Sequence, residues 1–144
     1  MTNAPFVSCE WVGRKRLYHA TAGGQFEQFD FKRSSGCVWF VSDREDARKM
    51  ALSFAIWRSP FSAYVYECDV LFSRLASFRN EGGVYALARE QGTRGGVAEK
   101  STASSALLQA GFDGIIDNYD GEMAPSFASL CPENVEIVRG VAVA

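Results

Sequence analysis

The chain has a single histidine, His19, among its 144 residues. Its cysteines, Cys9, Cys37, Cys68 and Cys131, have wide, irregular spacings and form no C-x-x-C pair. Structural zinc sites are built from closely spaced cysteines and histidines, so the sequence predicts no metal site. Each cysteine lies in or near an apolar run, which is typical of small buried thiols.

Long apolar runs are also absent. No segment approaches the roughly 20 apolar residues that a membrane helix needs. The N-terminus lacks the basic stretch and following apolar stretch of a secretory signal peptide. We therefore expect no membrane partner, and a reducing cytoplasm as the compartment.

Excess positive charge is lacking too. The chain carries 15 Lys and Arg against 17 Asp and Glu, a net charge of −2, and the two signs are interspersed. A nucleic-acid-binding domain usually carries a basic patch. The one short basic cluster, residues 14–16, is interpreted as the solvated start of a strand. The sequence therefore shows no strong signal for nucleic acid.

What is present is the composition of an ordinary folded domain. Hydrophobic residues make up 47% of the chain and charged residues 22%, which are common values for globular proteins. A chain of this length can bury a sizeable core and falls within the usual size of one domain. We predict a single domain over residues 1–144, without internal repeats.

The clearest predicted element is a helix over residues 42–57. Ser42 and Glu45 have the spacing of a capping box, apolar residues follow at helical intervals, and Pro60 ends the pattern. The other predictions are strands at 37–41, 63–70, 112–116, 126–131 and 134–143, a helix at 101–111 capped by Gly111, and a weaker helix at 84–90. Because strands and helices do not alternate strictly, we expect an α+β fold with a largely antiparallel sheet.

His19 ends a short strand-like run and is followed by Ala20, Thr21 and two glycines at 23 and 24. Glycines let a ligand or another backbone approach closely. A lone histidine is more often structural or merely exposed. Two interpretations therefore stay open here: a structural imidazole, and a ligand clamp at the end of a strand.

Four segments resemble, in the same order, signatures of small ADP-ribosyltransferase domains. The relevant group is the diphtheria-toxin and poly(ADP-ribose) polymerase type, in its bacterial or phage effector form. The segments are LYHATAGGQFEQFD, GCVWFVSDREDARKMA, LLQAGFDGIID and FASLCPENVEIV, and they span most of the chain from 17 to 138. The resemblance implies a split, largely antiparallel sheet with flanking helices and a central cleft that holds NAD⁺.

The resemblance also implies roles for residues of the first two segments. His19 would bind the adenosine-side ribose of NAD⁺, with Tyr18 beside it in the motif and Thr21 supporting it. Phe40 would pack against the nicotinamide. Ser42 would face the cofactor in addition to capping the helix.

One aromatic position of the family is not matched. A second family tyrosine, in the helix after Phe40, falls near Met50 or Ala51, and neither is aromatic. The resemblance leaves three aromatic residues that would take its place, namely Trp57, Tyr64 and Phe54.

The remaining family element is an acid. Breaking an N-glycosidic bond places positive charge on the ribose, and a fixed carboxylate stabilises that charge most in the transition state. The loop 117–126 offers Asp117, Asp120 and Glu122. Glu122 is preferred as the catalytic acid because it is nearest the closing strand, and Asp120 is second. Many relatives carry Glu where this chain has Ser126, and a solvated acidic loop without catalytic role is the alternative.

The function that the resemblance implies is mono-ADP-ribosyl transfer from NAD⁺, as substrate, to a macromolecular acceptor, in the first place a protein. A toxin or effector of this size would act in the cytoplasm, its own cell's or that of a target cell. Two alternatives remain. One is an NAD⁺ glycohydrolase, and the other is a non-catalytic module that binds NAD or a partner, which the missing tyrosine and Ser126 favour.

Overall fold

A computed structural model describes residues 6–9, 13–22, 26–30, 36–56, 62–78, 104–117 and 126–143. Among these residues, eight strands form one sheet. They are β1 (Phe6–Cys9), β2 (Gly13–Thr21), β3 (Val38–Val41), β4 (Tyr64–Phe72), β5 (Leu75–Phe78), β6 (Gly114–Asp117), β7 (Ser126–Ser129) and β8 (Val135–Ala142). Helix α1 spans Arg44–Ala55, a 3₁₀ turn spans Pro132–Asn134, and residues 104–109 are also helical. The expected α+β class is confirmed.

The strand order across the sheet is β1-β5-β6-β7-β3-β2-β4-β8. Every neighbouring pair is antiparallel except β5 and β6, which run parallel. The sheet is therefore largely antiparallel, as the sequence predicted.

The sheet is split between β2 and β3. Strand β2 pairs with β4 along its whole length, from Gly13 opposite Phe72 to Thr21 opposite Tyr64. With β3, however, β2 shares one paired position, Tyr18 opposite Val41. Two well-paired halves, β1-β5-β6-β7-β3 and β2-β4-β8, thus meet at a single point, which leaves room between them beyond it.

Helix α1 covers one face of the β2-β4-β8 half. Its buried residues are Ala47, Ala51 and Ala55, each 0% exposed, and they pack against Ala63 and Val65. Alanine spacing along one helix face lets the helix backbone lie close to the sheet. A larger apolar cluster joins residues of both halves of the sheet, among them Leu17, Phe40, Tyr66, Cys68, Phe72 and Phe127.

The start of α1 differs from the prediction. The cap is Asp43, whose carboxylate accepts a hydrogen bond from the backbone amide of Asp46 at 3.3 Å. The predicted capping box of Ser42 and Glu45 is therefore wrong. Aspartate is as good a cap as serine, and Glu45 pairs with Arg48, three residues on, at 2.6 Å.

The end of the second helix agrees with the prediction. Gly111 has a φ of +92°, its amide donates to the carbonyl of Leu108, and the amide of Phe112 donates to the carbonyl of Leu107, both at 3.0 Å. This is a Schellman motif, in which glycine supplies the left-handed conformation. The cap at Gly111 is confirmed.

The FDGII stretch has a structural role. Asp113 accepts hydrogen bonds from the amides of Ser73 at 2.8 Å and Arg74 at 2.9 Å, and from the side-chain amide of Asn134 at 3.3 Å. A Cβ at Gly114 would lie 2.4 Å from the ring of Phe72. The aspartate thus fastens the turn between β4 and β5 to the start of β6, and the glycine admits the aromatic ring.

Three further features of the fold concern the sequence predictions: two short strands, one predicted helix and membrane-spanning segments. Strands β1 and β5, each 4 residues long, were not predicted, because runs this short give no clear alternation. The helix predicted at 84–90 lies outside the described residues. In the described part of the chain, no helix has the length and apolarity needed to cross a membrane.

Candidate functional site

A pocket of about 210 Å³ lies where β2, β3 and α1 meet, at the split of the sheet. Its lining residues are Tyr18, His19 and Ala20 of β2, Trp39, Phe40 and Val41 of β3, Met50 and Phe54 of α1, and Ser126 at the start of β7. The single paired position of β2 and β3 forms one end of this pocket, so the split itself creates the space.

Four positions singled out by the family resemblance converge on this pocket. His19 comes from the first segment, Phe40 and Met50 come from the second, and Ser126 directly precedes the last. His19 and Ser126 are more than 100 residues apart in the sequence, and the strand order β7-β3-β2 brings them together. The structure therefore brings these four positions together at one pocket.

The imidazole of His19 is held by the backbone at the split. Its Nδ1 lies 2.7 Å from the carbonyl oxygen of Trp39. A carbonyl oxygen only accepts, so Nδ1 carries the proton and Nε2 of the neutral ring is left as an acceptor. The Trp39 carbonyl thereby fixes the tautomer and the orientation of the His19 ring.

Aromatic rings surround the same imidazole. Phe29 meets it edge-on at 4.8 Å between centroids, and Phe40 at 5.8 Å. Burial among these rings lowers the pKa of His19 below 6.5, and the hydrogen bond to Trp39 offsets only part of the effect. The imidazole is consequently neutral at pH 7.

The wall contributed by α1 is apolar and open to solvent. Met50 is 39% exposed and Phe54 46% exposed, which is unusual for large apolar side chains on one helix face. Of the three aromatic residues considered for the missing tyrosine, Phe54 lines the pocket. Tyr64 packs against the apolar cluster on the far side, and Trp57 lies outside the described residues.

The other predicted cofactor residues are distributed as follows. Tyr18 lines the pocket, whereas Thr21, paired with Tyr64 at the end of β2, and Ser42, just before the helix cap, do not line it. In the acidic loop, Asp117 ends β6 and is paired with Ser126. The two preferred acids, Asp120 and Glu122, lie outside the described residues.

Next to the pocket lies a charged cluster that sequence analysis missed. Glu67, only 8% exposed, accepts hydrogen bonds from Arg16 at 3.1 Å, Arg44 at 3.2 Å and Arg139 at 2.6 Å. Arg16 also pairs with Asp69 at 2.6 Å. We call these five residues the arginine cluster. The one sequence signal was a pair of acids at alternate positions within an otherwise apolar strand.

Metal-ligand side chains are not grouped together in the described part of the chain. The described residues hold no group of three or more His, Cys, Asp or Glu side chains that could bind a metal ion.

Comparison with known proteins shows the fold. No family model matches the chain, and no curated protein matches it. A solved structure does: the Mycobacterium tuberculosis MbcT–MbcA toxin–antitoxin complex matches with a TM-score of 0.54 at 12% sequence identity. The match covers 94% of this chain and 86% of that one. This chain therefore shares its α+β fold with a chain of a toxin–antitoxin complex.

Proposed function

We propose that this protein is an NAD⁺-dependent mono-ADP-ribosyltransferase whose pocket at the split receives the nicotinamide end of NAD⁺. The observation that supports this most directly is the convergence of His19, Phe40, Met50 and Ser126 on one pocket. His19 and Phe40 carry the resemblance to ADP-ribosyltransferase signatures, whereas Met50 and Ser126 stand at or near the two positions where the chain departs from them.

The pocket has the chemistry to hold a nicotinamide riboside. We assign His19 here to the nicotinamide-side ribose, whose hydroxyl donates to the neutral imidazole. This differs from the adenosine-side ribose that the resemblance implies, because the pocket is too small for both ends of the dinucleotide. The exposed ring of Phe54 offers apolar surface to the nicotinamide, whereas Phe40, which the resemblance places against that ring, is only 1% exposed. At about 210 Å³, the pocket is smaller than the roughly 300–1,000 Å³ of most ligand pockets, so it encloses one end of the dinucleotide and leaves the rest outside.

The proposed chemistry is cleavage of the bond between the ribose C1′ and the nicotinamide nitrogen. The bonding electrons leave with nicotinamide, positive charge develops on the ribose, and a nucleophile of the acceptor forms the new bond to C1′ while losing its proton. Glu122 is our candidate for the stabilising carboxylate, with Asp120 second. Glu122 stands four positions before the pocket residue Ser126 in the sequence, and four positions of fully extended chain span at most about 14 Å.

A non-catalytic binding module is the second candidate. Met50 and Ser126 stand in the pocket at the positions where the family has a tyrosine and a glutamate, so the pocket's own described residues contain no carboxylate. A glycohydrolase, with water as acceptor, is the third. Pocket geometry does not distinguish it from a transferase, because loops outside the pocket select the acceptor.

The shared fold supports a toxin-like role with a protein partner. The solved relative was crystallised as a toxin together with its antitoxin. For this chain we propose a protein as the acceptor of ADP-ribose, and a cytoplasm as the place where it acts.

The test is nicotinamide release from NAD⁺ by the purified chain, with and without a cell lysate. We expect release that is abolished by His19→Ala and by Glu122→Gln but unaffected by Glu133→Gln, a matched change of an exposed acid. Stimulation by lysate identifies a transferase, and lysate-independent release a glycohydrolase. NAD⁺ binding without release establishes the binding module instead. A chain that neither binds nor cleaves NAD⁺ contradicts the proposed function.

A further inference from the structure

We propose that Arg44, held in place by Glu67 and assisted by Arg16 and Arg139, binds the diphosphate of a dinucleotide whose nicotinamide end occupies the neighbouring pocket. The inference rests on the proposed function for the identity of the ligand. It adds a second binding region, outside the pocket, for the part of NAD⁺ that the pocket is too small to enclose.

The pocket and the arginine cluster are continuous across the sheet. Val41 of β3 is paired with Tyr18 of β2, Tyr18 with Glu67 of β4, and Glu67 with Arg139 of β8. These four paired positions form a row that starts at the pocket and ends in the cluster. Neighbouring strands lie about 4.8 Å apart, so Glu67 is one strand spacing from the pocket residue Tyr18.

Arg44 bridges the two regions. As the first residue of α1, it places its guanidinium 5.5 Å from the ring centre of Tyr18 and donates to Glu67 at 3.2 Å. Its side chain is 58% exposed. In NAD⁺ the diphosphate follows directly after the nicotinamide ribose, so a ligand seated at Tyr18 brings its phosphates to Arg44.

The guanidinium groups keep donors for a ligand. A guanidinium has five N–H donors in a planar fork that matches phosphate oxygens. Arg44 has one hydrogen bond to Glu67 in the described part of the chain. Arg139, at 55% exposure, likewise gives one to the other oxygen of that carboxylate.

The charge balance of the cluster favours an anion. Three arginines face two carboxylates, those of Glu67 and Asp69, which leaves one positive charge in excess. Two nearby acids at the start of α1 have other partners in the structure. Asp43 accepts from a helix amide as the cap, and Glu45 forms an ion pair with Arg48. Glu67, nearly buried, accepts hydrogen bonds from all three arginines and so fixes the direction of their exposed guanidinium groups.

The experiment measures equilibrium binding of four probes by calorimetry: NAD⁺, ADP-ribose, nicotinamide riboside and inorganic pyrophosphate. The proteins are the wild type, Arg44→Gln, Arg44→Lys and the matched control Arg48→Gln on the same helix. We expect Arg44→Gln to weaken NAD⁺ and ADP-ribose by about tenfold or more, the size of a lost charge-assisted contact. Nicotinamide riboside, which lacks the diphosphate, retains its affinity, and Arg48→Gln changes none of the four.

Arg44→Lys separates a folding defect from a lost contact. It keeps the charge but not the planar fork, so its NAD⁺ affinity is intermediate while its thermal unfolding matches the wild type. The difference in NAD⁺ affinity between Arg44→Gln and the wild type should also be largest at low salt. It should shrink as the salt concentration rises, because salt screens the charge of Arg44.

Two results would overturn the inference. One is unchanged NAD⁺ affinity in a folded Arg44→Gln protein. The other is loss of pyrophosphate binding alone, which would assign the cluster to a different anion. In both cases His19→Ala still tests the proposed function, since that variant alters the pocket and not the cluster. A wild-type chain that does not bind NAD⁺ removes both proposals.

Discussion

At the scale of single residues, His19 has two tasks. Its Nδ1–H donates a hydrogen bond to the carbonyl oxygen of Trp39 at 2.7 Å, at the place where β2 and β3 separate. We propose that its other nitrogen accepts a hydrogen bond from a ribose hydroxyl. The two interpretations of the lone histidine, structural and ligand-binding, are therefore compatible in one side chain.

The protonation of His19 is directly measurable, because it is the chain's one imidazole. We expect the Nδ1–H tautomer at pH 7 and a pKa below 6.5, since burial disfavours the charged ring. Long-range ¹H–¹⁵N correlation spectra across pH 4–9 report both properties without assignment of other residues. A ring protonated on Nε2 at pH 7, or a pKa above 6.5, would contradict the structure. The unfolded chain in denaturant is the control for an unperturbed imidazole.

At the scale of elements, α1 positions one wall of the pocket. Its alanine face lies against Ala63 and Val65, while Met50 and Phe54 on another face line the pocket. The depth of this alanine contact therefore sets the distance between the apolar wall and the β2-β3 split.

Replacing Ala51 by leucine tests that arrangement. Ala51 is 0% exposed, so the added bulk has no space, and overpacking of this kind costs about 1–3 kcal/mol. We expect Ala51→Leu to lower the free energy of unfolding by this amount and to weaken NAD⁺ binding by displacing the wall. Ser53→Leu places the same side chain at an exposed position of the helix and should change both quantities little. Urea denaturation and calorimetry measure them, and equal effects from the two variants would refute the packing described here.

At the scale of the whole molecule, charged groups link stability to pH. Hydrogen bonds from Arg139 and then Arg16 lower the pKa of Glu67, and hydrogen bonds from Arg16 lower that of Asp69. Burial lowers that of His19. All three groups therefore bind fewer protons in the folded than in the unfolded chain, so folding becomes less favourable as the pH falls.

Acidification should consequently act in two stages. The stabilisation linked to His19 is complete above about pH 6.5 and is lost as the pH falls through its folded pKa. That linked to Glu67 and Asp69 is complete above about pH 4.5 and is lost at lower pH. Thermal unfolding from pH 3 to 8 measures the effect. Glu67→Gln should be less stable than the wild type at pH 7 and lose less on going from pH 5 to pH 3. Parallel curves for the two proteins in that range would contradict the role of Glu67, and Glu133→Gln serves as the exposed control.

Local patterns in the sequence determined the elements. Apolar spacing predicted α1 and a glycine at 111 predicted a C-terminal cap, whereas the split sheet was implied only by the family resemblance. Such features depend on backbone conformation and on contacts a few residues apart, which a sequence displays directly. The exact cap was misread because Ser42 and Asp43 are adjacent residues with nearly equal capping preference.

Only the tertiary structure decided which distant residues meet. Glu67 is joined by arginines 51, 23 and 72 residues away along the chain, and no local pattern links them. That Phe54 and not Tyr64 lines the pocket depended on the face of the sheet that α1 covers and on the face to which Tyr64 points. Strand order and register settle such questions, because a shift of one residue in pairing turns every side chain of a strand to the other face.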